Sequence, residues 1–148
     1  MNKPKNQNNI SRYVKLEDYK LFDYEIPEIF LDFVIKKNAV NVTTKLKLVK
    51  KNKNIRNLIL DGTDILIKKI FLDDSLLGKE YYKQQKNNLK IENINKDIFL
   101  LKIEVVIKPK ENTSLLGMYE SNGIITTQCE AEGFRTVSYT HLTLPTTR

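Results

Sequence analysis

A two-residue alternation of apolar and polar side chains constrains the fold of this 148-residue chain more than any other feature. It is clearest from Ile98 to Ile107, where Lys102 and Glu104 take polar positions. The apolar positions of this stretch are Phe99, Leu101, Ile103, Val105 and Ile107. A period of two is typical of a β-strand with one buried and one hydrated face. No helical period holds over three turns, so the pattern predicts an all-β, antiparallel β-sandwich.

Shorter alternating runs, separated by turn residues, predict the other strands. They are Ile29–Ile35, Val40–Leu48, Ile55–Leu60, Ile65–Leu72 and Leu89–Glu92. The turn at residues 36–38 predicts that the first two strands form a hairpin, and residues 76–88 favour a loop with one weak strand. We expect a disordered polar tail over residues 1–10 and one domain over residues 11–136.

Composition excludes several classes of partner and location. The net charge is +7, but the lysines are scattered among apolar residues and form no basic stripe, so we expect no nucleic-acid partner. No apolar run approaches the ~18 residues of a membrane span, and the N-terminal residues lack the apolar segment of a secretory signal. The single cysteine, Cys129, excludes an internal disulfide and fits a reducing compartment. We therefore expect no membrane contact and a cytoplasmic protein.

Residues 126–135, with the sequence TTQCEAEGFR, cluster small, polar and acidic side chains in a way that strand packing does not require. Upstream, residues 112–123 carry an N-T-x-L-x-G-x-Y-x-S-x-G run. Together these segments resemble the substrate-anchoring region of the aminopeptidase N family, which comprises zinc metallo-aminopeptidases of the alanyl aminopeptidase type. The resemblance covers about residues 12–135, and it implies a saddle-like β-sandwich that forms the N-terminal domain of a longer enzyme.

The resemblance also implies roles for individual residues. Gln128 and Glu130 match the positions that bind the substrate's N-terminal amine, and a non-proline cis peptide is implied near Glu130-Ala131. We expect Glu132 to be structural and Cys129 to be packed, since no histidine is placed to activate its thiol. The implied partners are peptide substrates and the missing catalytic domain of the same chain.

The zinc that the family binds requires a histidine pair in H-E-x-x-H and a third ligand. This chain has one histidine, His141, followed by Leu142. The expected cofactor, zinc, would therefore be bound by a downstream domain of the parent, and the sequence predicts that this fragment alone has no peptidase activity.

Residues 137–148 resemble a translated sequencing-library adapter, so we interpret them as a non-native tail and His141 as neither ligand nor base. This interpretation predicts that the tail does not pack against the domain.

Two other functions remain open: a non-catalytic β-sandwich binding or scaffold module, and a catalytically inactive relative that uses the sandwich for protein contacts. A domain separated from its partner would expose apolar side chains near residues 115–135. A uniformly polar surface there would favour the autonomous module.

Overall fold

The computed structural model describes residues 21–130 and 133–140, and these residues form antiparallel strands joined by short turns. The strands are β1 (Tyr24–Ile35), β2 (Val40–Lys50), β3 (Leu58–Asp61), β4 (Leu66–Leu72), β5 (Ser75–Leu76), β6 (Tyr82–Gln84), β7 (Asn88–Ile91), β8 (Ile98–Ile107), β9 (Gly117–Ser121) and β10 (Ile124–Gln128). Short 3-10 helices occupy Lys79–Tyr81, Pro109–Glu111 and Gly133–Thr136. The predicted all-β, antiparallel sandwich is confirmed.

Three sheets organise these strands. A five-stranded sheet has the order β1-β2-β8-β4-β5, a three-stranded sheet has the order β3-β7-β6, and β9 and β10 form a separate hairpin. The two larger sheets enclose one apolar core. None of the helices in the described ranges is both long enough and apolar enough to cross a bilayer.

The core is built by the alternation seen in the sequence. Along β2 and β8 every second side chain is buried, and the strand register sets Val42 opposite Val105 and Leu46 opposite Leu101. Leu58 and Leu89 of the smaller sheet are also fully buried in this core. Burying each such side chain contributes about 1.5–3 kcal/mol, so the β2–β8 pair supplies much of the driving force for folding.

The first hairpin is confirmed, but its first strand is longer than predicted. β1 begins at Tyr24 and continues through Pro27, where the β1–β2 register shifts between Glu25 and Glu28. Proline lacks the N–H that a regular ladder needs, and an edge strand with a bulge is one of the few places in a sheet that accommodates it. The turn is closed by the Lys36 N–H, which donates to the Ala39 carbonyl at 2.9 Å.

Two other boundaries differ from the sequence prediction. The strand predicted from Ile55 begins at Leu58, because Asn52 forms a turn in which its side chain accepts from the Asn54 N–H and its carbonyl accepts from the Ile55 N–H. Within the predicted loop over residues 76–88, the expected weak strand is β6, and a 3-10 helix precedes it.

The prediction that residues 137–148 do not pack against the domain is wrong for residues 137–140. Val137, Ser138 and Tyr139 are almost completely buried, and Thr140 forms an antiparallel bridge with Asp61 through hydrogen bonds of 2.6 and 2.9 Å. The physical reason is that the Tyr139 ring packs directly on the backbone at Gly62, where glycine leaves room because it has no Cβ. The packed domain therefore extends beyond residue 136, whereas the non-native origin of the tail stays a prediction.

Several predictions lie outside the described residues. They are the disordered tail over residues 1–10, the part of the predicted domain over residues 11–20, the cis peptide at Glu130-Ala131, the structural role of Glu132, and the assignments for residues 141–148, including His141.

Candidate substrate-anchoring site

The predicted anchoring residues lie at the end of the β9–β10 hairpin. Its connection is Asn122-Gly123, and both residues have positive φ angles, 49° and 81°. This is the two-residue turn whose twist matches that of antiparallel strands, and asparagine and glycine adopt it at little cost. The turn sets the register so that Gln128 pairs with Gly117 at the open end of the hairpin.

The loop before β9 is fixed by the side chain of Asn112. Its Nδ2 donates to the carbonyls of Leu116 and Met118 at 2.7 and 3.0 Å, and its Oδ1 accepts from the Ser114 N–H at 3.0 Å. These bonds position the chain at Gly117, whose φ of 78° favours glycine. The asparagine and glycine of the sequence run therefore have a structural function: they hold the strand that pairs with Gln128.

Past Gln128 the chain turns back on itself. The Gly133 N–H donates to the Glu130 carbonyl at 3.1 Å, and a Cβ at Gly133 would lie 2.4 Å from the Gln128 carbonyl oxygen. Only glycine allows this approach. The Thr136 hydroxyl then lies within hydrogen-bonding distance of the carbonyls of Gly133 and Leu116, at 3.0 and 3.1 Å, and shares its one proton between them. This contact joins the returning chain to the loop before β9.

The returning chain is also attached to the sandwich. The Thr63 N–H donates to the Arg135 carbonyl at 2.8 Å, and the Arg135 guanidinium lies 3.6 Å from the Asp61 carboxylate. With the Asp61–Thr140 bridge, these contacts hold the segment from both sides. Gln128 and Glu130 thus lie on a turn whose ends are fixed by backbone hydrogen bonds, which is the arrangement that a binding residue requires.

Gln128 and Glu130 are both exposed, and among the described residues no hydrogen bond or ion pair engages either side chain. A carboxylate and a carboxamide oxygen, two residues apart, can both accept hydrogen bonds from a cation. Cys129 is exposed, which differs from the packed side chain that the sequence predicted. Partial desolvation raises the pKa of its thiol, so the thiol stays protonated at neutral pH and is a poor nucleophile, as expected.

The described residues do not fit a zinc site. Within residues 21–130 and 133–140, no three His, Cys, Asp or Glu side chains converge closely enough to hold a metal ion. The carboxylates near the site are separated and engaged: Asp61 faces Arg135, and Glu120 lies 3.7 Å from Lys110. We therefore assign no metal ligand and no metal-dependent step to these residues.

No family model matches the chain, but curated proteins do. The chain is 33% identical over 123 residues to aminopeptidase N of Haemophilus influenzae, and 34% identical over 122 residues to aminopeptidase N of Escherichia coli K12. These matches cover 83% and 82% of this chain. The sequence is therefore related to the aminopeptidase N family. It spans only 14% of the length of these relatives.

Solved structures agree with this relationship. The crystal structure of Legionella pneumophila aminopeptidase A, determined with aspartic acid, superposes with a TM-score of 0.77 at 31% identity. The match covers 86% of this chain and 15% of that protein. An M1 zinc metallopeptidase of Deinococcus radiodurans shares the fold, with a TM-score of 0.65 at 10% identity over 81% of this chain and 29% of that protein.

The structure brings together part of what the aminopeptidase N resemblance implied. Gln128 and Glu130 both lie at one exposed turn, whereas the contacts that fix this turn were not predicted from the sequence. The residues that make those contacts are Asn112, Gly117, Gly133 and Thr136. Three of them belong to the two segments that carried the resemblance, so their fixed spacing was the available signal. Thr136 carries no such signal, because its role depends on the returning chain.

Proposed function

We propose that this chain is the N-terminal β-sandwich of a zinc-dependent aminopeptidase, and that it supplies the residues that bind the α-ammonium of a peptide substrate. The observation that carries the proposal is the fixed turn that presents Gln128 and Glu130, within a chain that is about one third identical to aminopeptidase N. The chain spans a small part of those relatives. The activity is therefore proposed for the parent protein, and the fragment alone is proposed to be inactive.

The proposed chemistry follows from the two side chains. A peptide's α-ammonium carries three N–H donors and a full positive charge, so taking it from water requires nearby anionic and carbonyl oxygens. Glu130 supplies the charge and Gln128 supplies a neutral acceptor. Binding the free amine also places the first peptide bond at a fixed distance from the turn, which makes cleavage selective for N-terminal residues.

Hydrolysis itself needs groups that the described residues lack. Zinc would supply an activated water, and we propose that its ligands lie in polypeptide of the parent beyond this chain. The part played by this chain is to position the substrate. A cytoplasmic location of the parent is likewise a prediction.

Exposed apolar side chains on the β9–β10 hairpin and in the loop before it support a missing partner domain. Leu115 and Leu116 precede β9 and Ile124 begins β10, with 58%, 46% and 68% of their surfaces accessible. Each would lose contact with water against a second domain, because exposed apolar surface marks a contact site. The surface near residues 115–135 is thus not uniformly polar, which is the result expected of a domain separated from its partner domain.

The test requires the full-length parent protein. We expect Glu130→Gln to lower kcat/KM for a free-amine peptide about 10- to 100-fold, because a hydrogen bond to a charged group contributes about 1.5–3 kcal/mol. Glu111→Gln is the matched control, since Glu111 is an exposed carboxylate in the 3-10 helix after β8, paired with Lys108. An unchanged kcat/KM in Glu130→Gln would contradict the proposed role.

A further inference from the structure

The outer edge of β1 is open. In the described part of the chain β1 pairs only with β2. The hydrogen bond from the Lys36 N–H to the Ala39 carbonyl fixes which β1 residues bond to β2. Because the two kinds of pair alternate along an antiparallel ladder, the backbone groups of the even-numbered residues bond to β2. The N–H and C=O groups of the odd-numbered residues point away from the sheet; these residues are Ile29, Leu31, Phe33 and Ile35. A long strand with a free backbone edge is a template on which another strand can form.

This edge is apolar on both faces. Ile29, Phe33 and Ile35 lie on the face that continues the core, opposite buried residues of β2, yet they are 57%, 37% and 60% exposed. On the other face Phe30 and Val34 are also exposed. Natural edge strands are usually protected by charges or prolines. In β1, Pro27 and the register shift protect only the start of the strand, and between residues 28 and 35 the only charged residues are Glu28 and Asp32.

The charges at the two ends of this edge are complementary. Glu28, whose carboxylate accepts from Lys47 Nζ of β2 at 3.1 Å, lies near its start, and Lys36 directly follows its end. Two copies of β1 that run antiparallel bring the acidic end of each against the basic end of the other.

We propose that β1 pairs with β1 of a second copy of this chain, antiparallel, with the two-fold axis at Asp32. In this register Glu28 faces Lys36. The apolar pairs are Ile29 with Ile35, Phe30 with Val34, and Leu31 with Phe33. If the two strands are shifted so that the two-fold axis lies at Phe33, Phe30 and Ile29 lie opposite lysines of the other copy. We therefore prefer the register centred on Asp32, because apolar residues there lie opposite apolar residues.

The pairing is self-limiting. It joins two five-stranded sheets through their β1 edges. The contact is isologous, so each β1 edge is occupied by the β1 edge of the other copy and the association closes as a symmetric dimer. The opposite edge of each sheet, formed by β5 and by residues 66–69 of β4, takes no part in it. The two Asp32 carboxylates face each other at the axis and weaken the dimer, because like charges directly opposite destabilise a strand pair.

The test is sedimentation equilibrium of the complete 148-residue chain over a range of concentrations. We expect a monomer–dimer equilibrium that Ile29→Lys weakens at least tenfold. The matched control is Ile124→Lys, which changes another exposed isoleucine, on β10, and it should leave dimerisation unchanged. Circular dichroism establishes that both variants fold. We expect Asp32→Asn to strengthen the dimer about fivefold, since it removes a like-charge pair.

Three outcomes would overturn the proposal. They are a monomer at every concentration, a dimer that Ile29→Lys does not weaken, and equal weakening by Ile124→Lys. Hydrogen exchange adds an independent measurement, because the odd-numbered β1 amides should be protected only as the dimer forms. Protection of those amides in the monomer would mean that another segment of the same chain covers the edge, which also contradicts the pairing.

Discussion

The contact between Gly62 and Tyr139 tests whether residues 137–140 contribute to folding. The Tyr139 ring is almost completely buried over Gly62, and a Cβ at Gly62 would lie 2.4 Å from the ring's Cδ1 atom. Gly62→Ala therefore forces the ring to move, and overpacking of this kind costs about 1–3 kcal/mol. Tyr139→Ala removes a buried aromatic side chain and should cost about 3–4 kcal/mol, by analogy with phenylalanine truncations.

The two substitutions should not be additive. Once Tyr139 is alanine, the Cβ at position 62 meets no ring, so Gly62→Ala should then cost less than about 0.5 kcal/mol. The difference gives a coupling free energy of about 0.5–3 kcal/mol between positions 77 residues apart in the chain. Urea unfolding of the four proteins, followed by circular dichroism, measures it, provided that the transitions are two-state. Gly123→Ala is a comparison, since open space surrounds Gly123 and only its positive φ angle opposes alanine there.

Additive effects would refute this reasoning. So would a Tyr139→Ala protein as stable as the wild type. Additive effects would mean that a Cβ at position 62 does not meet the Tyr139 ring. An unchanged stability of Tyr139→Ala would mean that residues 137–140 lie on the domain without stabilising it.

Three further predictions concern burial and the anchoring turn. Burial raises the pKa of Tyr139 to about 12, so the native state favours the neutral phenol. The contribution of this neutral side chain to the free energy of unfolding should be complete below pH ~10 and lost as the pH rises towards 12. Tyr139→Phe should flatten that alkaline loss in urea titrations. Ser138→Ala should cost about 1–3 kcal/mol because it leaves the buried Thr44 hydroxyl without its partner, and adding Thr44→Val should recover part of the loss, as unfolding curves would show. Gly133→Ala should lower kcat/KM of the parent without changing any group that touches substrate, because its Cβ displaces the Gln128 carbonyl; unchanged kinetics would contradict a rigid turn.

The strands could be predicted from sequence wherever one face is buried and the other hydrated. β8 has the predicted bounds, and β2 extends only two residues beyond its prediction. The period of β1 was also correct, but its exposure was not predictable. Whether a face is covered depends on how far the second sheet extends, and the three-stranded sheet leaves Ile29 and Ile35 uncovered. An alternating sequence pattern shows which side chains share one face of a strand, but it does not show which part of the molecule packs on that face.

The tail was misjudged for a related reason. Val137 and Tyr139 are buried because Gly62 leaves room and Thr140 pairs with Asp61, and both contacts join positions far apart in sequence. Gln128 and Glu130 could be located through their resemblance to a known segment. The side-chain hydrogen bonds of Asn112 and the close approach at Gly133, which fix their geometry, are contacts that only the fold reveals.

The central claim is that Glu130 binds the charged amine of the substrate. The most direct measurement compares kcat/KM for a peptide and for its des-amino analogue, in the full-length parent and in its Glu130→Gln variant. If the carboxylate and the ammonium interact, the wild type should prefer the free amine strongly, and Glu130→Gln should reduce that preference about 10- to 100-fold while changing turnover of the des-amino analogue little. A preference for the free amine that is equally strong in both proteins would contradict the claim.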